Sequence, residues 1–245
     1  MLHYEVTGSG PPVVLLHEGI VDSRSWARVV PLLAPHHTVI TYDQRGYGRS
    51  ARPDGPYSLV DDLAWVLDAA GLERAALVGT SRGGRIAIDF TLTHPERVTA
   101  LVTVAAAMSG HRLELDVPER IEREWEEAEA RGDLEALADL DLEIWAPLGV
   151  DPELRRMTVE NAGWSNADDP GSWAEPPAAG RLGEIRTPTL VITGGRDVPA
   201  MDEIGDVLAA GIEGARREVI ADADHVVGWR TPDALARLVL DFLAG

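Results

Sequence analysis

The sequence contains no cysteine and no lysine. Without cysteine there is no disulfide, no thiolate metal site and no thiol nucleophile. Without lysine there is no Schiff-base chemistry and no Ser–Lys dyad. All 22 basic residues are arginines, set against 41 Asp and Glu, for a net charge of −19. That balance argues against nucleic acid or an anionic membrane surface as a partner. Long apolar runs are also missing. The longest, Pro11–Leu16 and Leu101–Met108, have the length of buried strands, well short of the roughly 20 residues a membrane-spanning helix needs. Met1-Leu2-His3-Tyr4 has neither the basic nor the apolar region of a secretory signal, so a cytoplasmic location is expected. The remaining composition, 45% apolar and 26% charged over 245 residues, suits a single α/β domain or one domain with an insertion.

The pattern along the chain is one of alternating strands and helices. Pro12–Leu16, Thr38–Tyr42, Ala75–Val78 and Val98–Ala105 read as strands. Trp26–Leu33, Ser58–Ala70 and Arg82–Thr93 read as helices between them. Leu59, Leu63, Val66 and Leu67 share one helical face, and Gly71 closes that helix. Such alternation predicts a mostly parallel sheet with helices on both faces. From His111 to Trp173 no convincing strand is found. Pro118–Arg131, Leu134–Trp145 and Pro152–Ala162 read as helices, and this stretch holds four of the seven tryptophans: Trp125, Trp145, Trp164 and Trp173. Alternation resumes with Pro188–Thr193, Met201–Ala210, Arg216–Ile220 and a last helix, Pro232–Leu243, with Thr231 as its N-cap. The reading is a core of residues 1–110 and 180–245 carrying a helical cap at 111–179. The cap is expected over the sheet's C-terminal edge, where open α/β sheets bind ligands.

The strongest chemical signal is Gly79-Thr80-Ser81-Arg82-Gly83, a G-x-S-x-G sequence between a strand and a helix. A serine on such a sharp turn is exposed as a nucleophile, and its neighbours must be tiny for strand and helix to approach. The helix N-terminus also brings N–H dipoles to where an oxyanion forms. The serine needs a base. His3, His36, His37, His94 and His111 carry no motif and are expected at the surface. His225, in Ala223-Asp224-His225 after a strand, is the candidate. The candidate acid is Asp197 of Gly194-Gly195-Arg196-Asp197, which follows a strand and lies between Ser81 and His225 along the chain, the order Ser…Asp/Glu…His that accompanies a G-x-S-x-G nucleophile turn. Its carboxylate would hold the imidazole tautomer and stabilise the imidazolium. Asp222 and Asp224 are nearer His225 in sequence but are read as shaping its turn.

Taken together, Leu15-Leu16-His17-Glu18-Gly19, Tyr42-Asp43-Gln44-Arg45-Gly46-Tyr47-Gly48-Arg49-Ser50, the Ser81 turn, Gly194–Asp197 and Ala223–His225 resemble the α/β-hydrolase superfamily over nearly the whole chain. Within it the chain is similar to the capped esterase, enol-lactonase and carbon–carbon hydrolase group. The resemblance implies the α/β-hydrolase fold and a Ser81–Asp197–His225 triad. It implies an oxyanion hole from the backbone N–H groups of Gly19 and Arg82, and a structural role for His17 and the Asp43–Ser50 loop. Aspartate-nucleophile chemistries of the fold are disfavoured by Ser81. The chain departs from the usual His-Gly pair by inserting Glu18. A carboxylate there would repel an oxyanion, so Glu18 is expected to turn away or to pair with Arg82; Arg82 could also grip a substrate carboxylate.

The expected activity is hydrolysis of a carboxylic ester or lactone of a small, largely apolar substrate through an acyl-enzyme, with no metal or organic cofactor. Glu18, Trp145 and Trp164 are candidates for lining the pocket. The alternatives are carbon–carbon hydrolysis, perhydrolysis or acyl transfer by the same triad, and, in another class, a non-enzymatic receptor on the same fold. The expected partner is a small molecule; oligomeric state is not legible.

Overall fold

The computed structural model describes residues 1–112, 114–165, 171–172 and 175–245. Its strands are β1 Tyr4–Gly8, β2 Pro12–Leu16, β3 Thr38–Tyr42, β4 Tyr57–Ser58, β5 Ala75–Thr80, β6 Val98–Val104, β7 Gly171–Ser172, β8 Thr189–Gly194 and β9 Arg216–Ile220. Seven of them form one sheet in the order β1-β3-β2-β5-β6-β8-β9. β1 runs antiparallel to β3, and every other neighbouring pair is parallel.

Side-chain alternation along the strands builds two apolar layers. Val13 and Leu15 of β2 join Val39, Val78, Val102 and Ile192 on one face. Helices α1 Val30–Leu33 and α9 Pro232–Ala244 cover that face through Leu33, Leu235 and Val239. Val14 and Leu16 point to the other face, with Tyr42, Leu77, Leu101 and Val191. It is covered by α2 Leu59–Ala69, α3 Arg82–Thr93 and α7 Pro199–Gly211. Each large side chain fully removed from water in these layers contributes about 1.5–3 kcal/mol. The fold is therefore the expected α/β sandwich with helices on both faces.

Two local differences have physical causes. Glu5 to Gly8 of β1 are exposed, so the strand carries no half-buried alternation to reveal it. The expected helix Trp26–Leu33 is instead a 3₁₀ turn, Ser23–Trp26, followed by the short α1. Pro31 has no N–H and its ring would clash with the preceding turn, so it is tolerated only where a helix starts afresh.

Between β6 and β8 lie α4 Glu119–Arg131, α5 Leu134–Trp145 and α6 Pro152–Ser165. Gly132 ends α4 with φ 64°, and the Asp133 carboxylate caps α5 by accepting from Ala136 N at 3.1 Å. Ile121 and Ala128 pack on Leu137 and Leu140. Leu142, Ala146, Leu154 and Met157 pack on Val21, Val226 and Trp229 of the sheet domain. Asn161 of α6 donates to Asp22 at 2.9 Å and accepts from Gly48 N at 2.9 Å. The two-residue parallel pair of β4 with β7 adds a short strand where none was expected; Trp173 lies outside the described residues. A one-turn helix, α8 Val227–Arg230, precedes α9. Among the described residues no helix is long and apolar enough to cross a membrane.

Candidate active site

Ser81 stands between β5 and α3 with φ 52° and ψ −115°, a conformation that costs a non-glycine residue about 1–3 kcal/mol. The neighbouring glycines make it attainable. A Cβ on Gly79 would lie 2.4 Å from the Gly83 carbonyl oxygen, and one on Gly83 would lie 2.3 Å from that of Leu16. Strand and helix can meet this closely only without side chains. Ser81 is also anchored to the sheet: its N–H donates to Val104 at 3.0 Å, and its carbonyl accepts from Ala107 N at 3.1 Å.

His225 and Asp197 arrive from the loops after β9 and β8. The imidazole Nδ1 meets Asp197 Oδ2 at 2.8 Å, and both side chains are almost wholly buried. Asp197 Oδ1 accepts from Val198 N at 2.7 Å, which fixes the carboxylate's orientation. Burial disfavours the imidazolium. The charge and hydrogen bond of Asp197, with Glu18 and Asp224 behind them, outweigh it and raise the His225 pKa. With Nδ1 engaged, Nε2 is the nitrogen left for the cleft.

Ser81 and His225 line a cleft of about 280 Å³ together with Glu18, Gly19, Arg82 and Trp145. A Cβ on Gly19 would lie 3.5 Å from Cδ of Arg82, so the loop after β2 abuts the first turn of α3. Trp145 stacks on His225 with ring centroids 4.3 Å apart. Trp164 does not line this cleft: it packs over Gly46, where a Cβ would lie 2.2 Å from the indole, and that is a correction to its placement in the pocket.

Glu18 is 4% exposed, and its carboxylate accepts a 3.3 Å bond from Ser25 Oγ. Burial, reinforced by Asp22, raises its pKa against the opposing pull of its own backbone N–H, His225 and Ser25. Arg82 Nε donates to Gln44 Oε1 at 2.9 Å. The two charged side chains flanking the Gly19 loop are thus held by different partners.

His17 buttresses the loop. Its Nδ1 meets the Glu18 carbonyl at 2.7 Å and its Nε2 accepts from Gln44 N at 2.9 Å, which assigns the proton to Nδ1. Burial lowers its pKa and keeps it neutral. Asp43 accepts from Ser23 N at 3.0 Å and Arg49 N at 2.8 Å, consistent with a structural loop. Asp224 is fully buried, pairs with Arg230 at 2.7 Å and accepts from Leu148 N at 3.2 Å. Asp222 is exposed.

Sequence reasoning missed Tyr47, Arg85, Asp141 and Ser165, which also line the cleft. Arg85 lies one helical turn beyond Arg82, and Asp141 one turn before Trp145, so helical spacing from residues already singled out was the available signal. Burial pulls the Arg85 pKa down to about 10. With Glu18, Arg82, Arg85 and Asp141 in its wall, the cleft is more charged than the largely apolar pocket expected.

The family model of the alpha/beta hydrolase fold matches residues 11–137. A 2-hydroxy-6-oxononadienedioate/2-hydroxy-6-oxononatrienedioate hydrolase from Paraburkholderia xenovorans is 32% identical over 99% of this chain and 90% of its own. The crystal structure of the enol-lactonase from Burkholderia xenovorans superposes with a TM-score of 0.80 at 28% identity, covering 100% of this chain and 96% of that one. A thermophilic esterase from Thermogutta terrifontis gives a TM-score of 0.77 at 25% identity, covering 99% and 93%. By the family match and by identity along almost its entire length, the chain belongs to the α/β hydrolase family.

Proposed function

We propose that the chain is a serine hydrolase that cleaves a carboxylic ester or lactone, with Ser81 as nucleophile, His225 as base and Asp197 as the residue that orients the base. The observation that carries this is the strained Ser81 in the same cleft as an imidazole whose Nδ1 is already held by a buried carboxylate. In this reading Ser81 Oγ attacks the carbonyl carbon while His225 Nε2 takes its proton. The N–H groups of Gly19 and Arg82 receive the oxyanion; removing one such donor typically costs about 10²–10³ in turnover. His225 then protonates the leaving oxygen, and water releases the acyl group by the same route in reverse. The helices α4 to α6 act as a cap that sets which substrates enter.

Carbon–carbon hydrolysis of a dienoate-type ketone is the second reading. It is favoured by the identity to the dienedioate hydrolase and by the guanidinium groups of Arg82 and Arg85 in the cleft wall. A panel of p-nitrophenyl esters, lactones and dienoate ketones separates the two, with Ser81→Ala as control. Wild-type turnover by Ser81→Ala refutes the mechanism, and binding across the panel without turnover favours a receptor.

A further inference from the structure

His225 is held from two directions by distant parts of the chain. Asp197 takes its Nδ1 at 2.8 Å. Trp145, the last residue of α5, lays its indole on the ring face, with centroids 4.3 Å apart and planes at 40°. A hydrogen bond fixes one atom of the ring, and the imidazole can still swing about it. A contact on the ring face removes that freedom and fixes the plane in which Nε2 points.

The end of α5 is itself tied to the loop that carries His225. Leu148 N donates to Asp224 at 3.2 Å, and the Gly149 carbonyl accepts from Arg230 at 2.6 Å. Asp151 accepts from Trp229 Nε1 and from Arg28, each at 2.9 Å. Ala146 packs in one apolar cluster with Val226 and Trp229. Asp224 and Val226 are the immediate neighbours of His225, so the loop that presents the imidazole also grips the helix that presents the indole.

We propose that Trp145 is a positioning residue for His225: the indole sets the plane of the imidazole, so activation of Ser81 depends on how α5 is seated against the sheet domain. The proposal rests on the Ser81–Asp197–His225 reading. An indole face also favours the imidazolium formed when Ser81 gives up its proton, so the contact acts at the step where charge appears.

A fluorophosphonate tests this without knowledge of the substrate. Ser81 Oγ forms a bond to phosphorus, the P–F bond breaks, fluoride leaves and the serine proton passes to His225. Trp145→Ala should lower the maximal labelling rate about 10- to 100-fold, since misplacement by about 1 Å costs on the order of 10². The reagent concentration for half-maximal rate should not move. Trp145→Phe, which keeps a ring face, should restore the rate to within roughly threefold of wild type. The imidazolium quenches an indole in contact with it. The emission lost in Trp145→Phe should therefore rise with pH at the same midpoint as the wild-type labelling rate, and His225→Asn should abolish that rise. The titration reads the contact itself; should Trp145→Ala not fold, Trp145→Leu, which fills the space without a ring face, should show the same loss of maximal labelling rate, and a wild-type rate there overturns the proposal. Equal labelling by wild type and Trp145→Ala, an effect on half-saturation alone, or pH-independent Trp145 emission overturns the proposal. Failure of wild-type Ser81 to label overturns the triad reading instead.

Discussion

Replacing Gly83 by alanine should damage stability and catalysis together. The new Cβ would lie 2.3 Å from the Leu16 carbonyl oxygen and 2.7 Å from that of His17. Real contacts of this kind stay above about 3.0 Å, so α3 must retreat from the end of β2 by about 0.7 Å. Neither neighbour can yield as a flexible side chain would, because both are backbone of a buried strand end. Overpacking of this sort costs about 1–3 kcal/mol, which for a chain of this size lowers Tm by roughly 2–12 °C. The catalytic loss should be larger than the stability loss. Ser81 is pinned to Val104 and Ala107, whereas the N–H of Arg82 travels with α3 and Gly19 stays with β2. The proposed oxyanion donors therefore separate, and a displacement approaching 1 Å costs on the order of 10² in rate. Thermal unfolding and fluorophosphonate labelling of Ser81 measure the two effects. Gly183→Ala, which meets nothing within 4 Å, is the matched control and should leave both near wild type. If Gly83→Ala keeps the wild-type Tm and labelling rate, the close approach of strand and helix is not what holds the serine in place.

Asp197→Asn should reduce turnover about 10⁴-fold with little change in folding, because the amide favours the wrong imidazole tautomer; steady-state kinetics beside circular dichroism checks this. The raised His225 pKa places the acid limb of the kcat/KM profile above pH 6.5, because the base must be neutral to act. For stability the sign is opposite: the imidazolium's contribution is full below 6.5 and is lost as pH rises through the raised value. Glu18 behaves similarly, since a folded pKa above 4.5 means that stability falls as pH rises past that point. Glu18→Gln should thus raise Tm relative to wild type by a margin that widens above pH 4.5, and a margin independent of pH would refute the assignment. Asp224→Ala removes the buried partner of Arg230 and the acceptor for Leu148 N. It should cost about 2–3 kcal/mol in urea unfolding, less than for a fully buried pair because Arg230 keeps the Gly149 carbonyl.

The parts of the site that were legible in the sequence carry their signals locally. Ser81 is flanked by glycines that only a close strand–helix approach requires; Asp197 follows a wholly buried strand, and His225 follows the short edge strand β9 within Ala223-Asp224-His225. Much of the sheet was legible for the same reason: Val13 to Leu16 or Leu190 to Ile192 are buried on both faces, and a continuous apolar run announces that. β1 is exposed and announces nothing. The charged wall of the cleft and the grip on His225 arise from juxtaposition instead. Trp145 and Trp164 both sit near helix ends, and spacing cannot tell them apart. One ends on an imidazole and the other on the space left by a missing side chain at Gly46.

Glu18 shows how much such a juxtaposition changes the meaning of a residue. Read from the sequence, a carboxylate between His17 and Gly19 opposes a developing oxyanion. In the folded chain it is buried, bonded by Ser25 and pushed toward its protonated form by the loss of water around it. The shift lessens the repulsion that an oxyanion beside the Gly19 loop would meet. The bond from Ser25, and not a pair with Arg82, holds Glu18 there. His17, Gln44 and Tyr47 close around that loop, and Arg82 Nε is bonded to Gln44 in the wall of the cleft.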